Sequence, residues 1–254
     1  MPVQVAYPLA SAGALADVYQ LQAMGINVAG ADYPTGIPGA LEMVPDPAGQ
    51  RGTVMRASVR DTDPETSLGH RSEIRAASDT RVEHWYRWQF MLADDWVDDR
   101  LFSIMQIHDS PDGLDLPRFP NFLLLAGIGS IDAYLPTATL PTESAAGSRA
   151  GSIPLERGRW YDCCLHVVWS ISAVGGVREF FIDGRPLVRQ FNVATHYDDV
   201  NGPYFKLGVY DYFHATGWGS RTAYFTGVQI WRGAASFADG MGQIPRPPQR
   251  LLGP

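Results

Sequence analysis

"WYDCCLHVVWSISAVGGVREFFIDG", residues 160–184, decides the fold. Two alternating runs meet at Gly175-Gly176 as the arms of a hairpin would, and Asp183-Gly184 closes the next turn. Alternation sends Cys163 and Cys164 to opposite faces of one strand. A disulfide between neighbours in a strand would be strained, so two reduced or buried thiols are expected, and they imply no redox compartment. The same texture extends outward in both directions. Upstream lie "GTVMRASVR" (52–60), "RSEIRAA" (71–77), "EHWYRWQFML" (83–92), "RLFSIMQIHD" (100–109) and "NFLLLAGIG" (121–129). Downstream lie "YFKLGVYDY" (204–212) and "TAYFTGVQIWRG" (222–233). At least nine strands with no helical segment between them, and no βαβ rhythm, predict an all-β protein. The expected form is a jelly roll, a concanavalin-like sandwich of two antiparallel sheets.

The 254 residues suffice for one large domain, and 26 glycines and 19 prolines suit many tight turns. The sequence predicts a leader over 1–38, a jelly-roll domain over 39–233 and a Pro-rich tail over 234–254. Within the leader, Ala14, Leu15, Val18, Leu21 and Gln22 give a partial 3.6 period, so a short helix is expected over 11–24. The Thr/Ser/Gly/Ala-rich stretch 135–152 reads as a long loop. No internal repeat is visible. A net charge of −7 argues against a nucleic-acid partner, because phosphate recognition needs a clustered positive field. No run reaches membrane-spanning length, and the N-terminus has no basic region ahead of its apolar stretch, so no signal peptide is recognised.

Three strands carry chemistry. Period-2 sorting puts Arg71, Glu73 and Arg75 on one face of "RSEIR", with Ser72 and Ile74 behind. It puts Gln106 and His108 together in "MQIH", with Met105 and Ile107 behind. In "YFKLGVYDY" the polar side holds Tyr204, Lys206, Tyr210 and Tyr212, backed by Phe205, Leu207 and Val209, and Lys206 is the only lysine of the chain. Arg and Glu alternating on a strand also suit an ordinary solvated, ion-paired face. The shared design of three strands favours a polar groove.

These strands resemble the signature strands of alginate lyases of polysaccharide lyase family seven, R-[ST]-E-L-R, Q-[IV]-H and Y-F-K-A-G-x-Y-x-Q, in the same order. The flanking "GHRSEIR", "MQIHDSPD", "ERGRWYDCCLHVVWS", "EFFIDGRPL" and "GPYFKLGVY" are similar to the wider heparin-lyase-like and glucuronan-lyase-like jelly rolls. The likeness covers roughly residues 39–232. Leu207 stands where the alginate pattern has alanine, and Asp211-Tyr212 where it ends in Asn-Gln.

The resemblance implies β-elimination on a 4-linked uronic acid polymer: the C5 proton is removed and the C4 oxygen leaves with the next sugar. It implies His108, Tyr210, Gln106 and Arg71 as catalytic residues. Gln106 and Arg71, expected on neighbouring strands, would neutralise the substrate carboxylate. His108 is the natural base and Tyr210 the acid, with the split between them depending on which uronate epimer presents its C5 proton. Arg75, Lys206, Glu73, Tyr204 and Tyr212 are expected to bind substrate, Glu73 by orienting an arginine. No cofactor and no metal are required. The acids of "ADDWVDD" (Asp94, Asp95, Asp98, Asp99) and "HYDD" (Asp198, Asp199) read as solvated rather than as a calcium site, and His70, His84, His166, His196 and His214 lack zinc spacing. His70 and His214 are placed as possible groove linings.

Two further readings use the same fold. A hydrolase would need clustered carboxylates on one strand in an E-x-D-x-E arrangement, which is absent. A non-catalytic sugar-binding module would keep the groove but lose the acid and base. The expected partner is an acidic polysaccharide. Homo-oligomer formation or assembly into a virion, as in phage tail depolymerases, would follow a secreted or virion-associated location.

Overall fold

The computed structural model describes residues 3–6, 20–23, 40–65, 69–76, 78–109, 112, 118–137, 146–213 and 216–232, the first two stretches as backbone only. Among them are fifteen strands and no helix. One sheet runs β13 (Arg185–Phe191), β12 (Val177–Ile182), β11 (Tyr161–Val168), β6 (Glu83–Leu92), β15 (Ser220–Arg232), β4 (Thr53–Arg60) and β3 (Leu41–Pro45), and β1 (Val3–Ala6) also pairs with β15. The other runs β10 (Gly147–Pro154), β9 (Ser130–Pro136), β8 (Phe122–Gly127), β7 (Phe102–His108), β14 (Tyr204–Asp211), β5 (His70–Arg75) and β2 (Gln20–Ala23). All pairings are antiparallel. The predicted two-sheet sandwich is the observed architecture.

The inward faces of the two sheets meet in one core. From the first sheet come Tyr86, Trp88, Phe90 and Leu92 of β6 with Cys163, Leu165 and Val167 of β11. From the second come Ile104, Met105 and Ile107 of β7 with Phe205, Leu207 and Val209 of β14. Aromatic pairs join the layers: Tyr86 stacks on Phe205 at 5.6 Å between centroids, and Phe122 meets Phe180 edge-on at 5.0 Å. Each such side chain removed from water contributes about 1.5–3 kcal/mol. Cys163 lies in this core, while Cys164 joins Trp85 and Trp231 on the opposite face of the same sheet, both thiols free as expected.

The structure corrects several local expectations. Gln20–Ala23 is strand, not helix, because sheet pairing with β5 overrides a weak 3.6 period; 11–19 and 24 lie outside the described residues. The expected loop 135–152 ends in a strand, since Gly147–Pro154 pairs with β9. Its small polar residues fit a sheet edge with a solvated side, where a hydrophobic pattern is not needed. β13, with Pro186, is an edge strand of the same kind. The hairpin at Asp183-Gly184 is as predicted, both residues having positive φ (50° and 72°) as a tight two-residue turn requires. The tail 234–254 lies outside the described residues.

β14 sits against β5 through Gly208, whose φ is +152°. A Cβ there would stand 2.0 Å from the Ser72 carbonyl oxygen and 2.6 Å from the Glu73 Cα, both backbone atoms that cannot yield. Gly208→Ala is therefore expected to cost about 3 kcal/mol, lowering Tm by roughly 6–12 °C in a chain of this size. A thermal melt of the variant checks it.

Candidate active site

The three strands singled out by sequence are adjacent, in the order β7-β14-β5. Register aligns Gln106, Lys206 and Arg75 in one row across them. Tyr204 stands opposite His108 in the next, and Ser103, Tyr210 and Arg71 form a third. Residues directly opposite in an antiparallel pair share a face, so all these side chains lie on the side of the sheet away from the core. Gln106 and Arg71 are not on neighbouring strands as expected; β14 separates them. Their link is Glu73, placed opposite Gly208 of β14.

Glu73 is fully buried. Gln106 Nε2 donates to its Oε1 at 2.6 Å, Lys206 Nζ lies 2.6 Å from its Oε2, and Arg71 Nη1 lies 3.5 Å from the same oxygen. Burial alone would raise the Glu73 pKa, but the charges of Lys206 and Arg71 outweigh it and hold the carboxyl below its ordinary value. The alternating Arg and Glu are thus no solvated face. Lys206 is itself buried, which lowers its pKa to about 8 against the pull of Glu73.

Aromatic rings flank this charged centre. The Arg71 guanidinium lies 3.9 Å from the centre of the Tyr210 ring, and that of Arg75 lies 3.8 Å from the Tyr204 ring. Tyr204 also stacks on His108, at 5.8 Å and 23°. His108 Nδ1 meets the carbonyl oxygen of Asp109. A carbonyl only accepts, so the assigned tautomer has the proton on Nδ1 and leaves the Nε2 lone pair free. Burial, with Lys206 and Arg71 nearby, pushes the His108 pKa down to about 4 despite the opposing Asp109 and Glu73. Burial raises the Tyr210 pKa, keeping the phenol protonated at neutral pH. Tyr212 tilts against Tyr210 at 5.9 Å, and burial raises its pKa to about 12. The arrangement holds fixed cations, an uncharged imidazole and an uncharged phenol on one floor.

A family model described as polysaccharide lyase matches residues 12–229. The chain belongs to the polysaccharide lyase family. No curated protein matches its sequence. Among solved structures it is similar to the endo-β-1,4-glucuronan lyase of the fungus Trichoderma reesei, with 18% identity, 85% of this chain and 94% of that one covered, and a TM-score of 0.66. An alginate lyase from Pseudomonas aeruginosa has 17% identity, 86% and 99% coverage and a TM-score of 0.59. A carbohydrate esterase from the Shiga toxin-encoding bacteriophage phi24B has 11% identity, 92% and 100% coverage and a TM-score of 0.56. At such identities these structures show the fold, which the esterase shares.

Other sequence-selected residues of the lyase fall elsewhere. His70 packs edge-on to Trp218 rather than lining the groove, because it precedes Arg71 and so points to the other face; His214 lies outside the described residues. Asp99 pairs with Arg221, Asp98 accepts from Gly129 N at 2.8 Å, and Asp199 pairs with buried Arg118 at 2.7 Å, so these acids are partnered rather than simply solvated. Leu207 is core, and Asp211 is buried and accepts from Phe213 N, so within "YFKLGVYDY" two of the three departures from the alginate pattern do not lie on the polar face. The sequence reading overlooked Asp132 and Tyr134, although "SIDAYLP" alternates cleanly between polar and apolar faces.

Removing Glu73 alone leaves buried Lys206 uncompensated beside Arg71. Glu73→Ala is expected to cost about 3–5 kcal/mol in denaturant unfolding. The double variant Glu73→Gln, Lys206→Met is expected to regain most of that stability in the same unfolding measurement.

Proposed function

We propose that this polysaccharide lyase cleaves a 4-linked uronate polymer by β-elimination, leaving a 4,5-unsaturated uronate end. The observation that carries the reading is the single register that gathers Arg71, Gln106, Lys206, His108 and Tyr210 around an ionised, buried Glu73. A uronate C5 proton is hard to remove because the adjacent carboxylate already bears charge, and the intermediate adds more. Fixed donors aimed at that carboxylate lower the barrier most. Arg71 and the second N–H of Gln106 take this role, with Lys206 and Arg75 supporting it.

Glu73 holds these groups in place instead of reacting, since its oxygens are occupied and its charge is stabilised. His108 Nε2 removes the C5 proton, and the Tyr210 hydroxyl protonates the departing C4 oxygen. Where the epimer presents its C5 proton on the other face of the ring, Tyr210 performs both transfers: its phenol first passes its proton to His108 Nε2, the phenolate takes the C5 proton and then delivers it to the C4 oxygen, and His108 returns the first proton. Tyr204 and Tyr212 offer rings to the sugar faces. A non-catalytic module is disfavoured because the base and the acid are both retained, and a hydrolase because Glu179 pairs with His166 and Arg189 on the other sheet. Uronate polymers of this kind are extracellular, so a location outside the cell or on a virion fits the reading. No described helix is long and apolar enough to cross a membrane.

Incubation with a panel of polyuronates, followed by absorbance of the new C4=C5 bond, tests the reading. His108→Ala and Tyr210→Phe are each expected to lower the rate at least about 100-fold, whereas binding without any absorbance change on any polymer would contradict it. The pH profile of kcat/KM follows from the same groups. Activity falls as pH drops toward about 4, where His108 gains a proton, and falls again as pH rises through about 8, where Lys206 loses one. Stability has a matching acid limb. The native imidazole stays neutral while the unfolded one protonates below its ordinary pKa, so His108 weakens folding between about pH 6.5 and 4 and adds no further loss below.

A further inference from the structure

The groove face does not stop at β7. Continuing the rows through the register, Ser103 stands opposite Leu125, Leu125 opposite Asp132, and Asp132 opposite Ser152. The row of Gln106 continues through Leu123 and Tyr134 to Arg149. Both rows keep one face, because Phe122, Leu124, Ile131, Ala133 and Leu135 between them all enter the core. Leu123 and Leu125 make an apolar stretch of that face, and beyond them polar side chains return.

We propose that Arg149, backed by Asp132 and Ser152, is the carboxylate-binding residue of a distal subsite for the uronate chain. The inference rests on the polyuronate reading above and names where the far end of the substrate is held. Three observations converge on it. Asp132 is buried, with Ser152 Oγ donating to its Oδ1 at 2.5 Å and Arg149 Nη1 lying 3.7 Å from its Oδ2, while the Arg149 side chain is 59% exposed. The buried carboxylate thus steers the guanidinium and leaves most of its five donors free. This repeats, at the other end of the sheet, the device by which buried Glu73 holds Arg71 and Lys206.

Second, β10 carries a bulge between Arg149 and Gly151, leaving Ala150 without a counterpart, and bulges re-aim side chains. The irregularities of β7 between Ser103 and Met105 and of β14 between Leu207 and Tyr210 fall on the same transverse band. The three irregularities thus fall between the row of Gln106 and the row of Ser103, on one line across the strands. Third, the repeat of a 4-linked pyranose chain is close to the strand spacing, so a polymer lying across the strands meets about one strand per sugar. Arg149 lies four strands from Tyr210, about 19 Å at 4.8 Å each. A planar guanidinium there matches a uronate carboxylate in bidentate fashion.

The test compares Arg149→Ala and Arg149→Lys with wild type on uronate chains of graded length, following the absorbance of the unsaturated end. Affinity electrophoresis on the same polymer, in a Tyr210→Phe background, reads binding without turnover. The expected result is about a tenfold loss of kcat/KM for Arg149→Ala, carried by KM, on chains reaching at least about four sugars past the cleaved bond. Chains too short to reach β10 are cleaved as by wild type, and Arg149→Lys recovers part of the loss. An exposed arginine leaves the thermal melt unchanged. Equal loss on short and long chains, or no loss on long ones while wild type is active, overturns the subsite alone. Wild type that neither binds nor cleaves any uronan overturns the polyuronate reading and the subsite with it.

Discussion

A carboxylate with no access to water sits on β5, one strand in from the edge of the second sheet, and the rest of the site is arranged around keeping it charged. Glu73 stands opposite Gly208 of β14, where the two backbones approach closely, and it remains ionised because Lys206 and Arg71 lie beside it. Desolvating these charges is expensive, and a well-packed apolar set would serve stability as well. What the ion cluster supplies is orientation. Side chains from three strands are held in one geometry before any substrate arrives, which is the condition for electrostatic stabilisation without reorganisation.

The same sheet reads differently on its two faces, and that difference joins fold to function. One face contributes Phe205, Leu207 and Val209 to a core shared with the opposite sheet. The other presents charge, imidazole and phenol. Because strands alternate, every residue that strengthens the core fixes the height of a neighbour in the groove, and a register slip would exchange the two sets. Register irregularities in β7, β10 and β14 interrupt this frame along one line across the strands.

Much of this was legible in the sequence because period-2 patterning is a short-range signal. The strands around Cys163, His108 and Tyr210 and the turn at Asp183-Gly184 could be read directly. What could not be read depends on distant partners. Strand order decides that Glu73, not direct adjacency, connects Gln106 to Arg71. Edge strands such as Gly147–Pro154 need no hydrophobic pattern and so looked like loop. A weak helical period over Gln20–Ala23 gave way to pairing with β5. Asp132 and Arg149 were visible as polar residues, but only their place in the rows of Tyr210 and Gln106 ties them to the groove.

A crystal structure of the Tyr210→Phe variant with a bound uronate oligosaccharide tests the central claim most directly. The account predicts one sugar carboxylate on Arg71 and Gln106, with Glu73 still holding Lys206 behind them and C5 of that sugar facing His108 Nε2. An oligosaccharide bound away from β5, β7 and β14, or one whose carboxylates all point to solvent while the cations stay closed on Glu73, would contradict it.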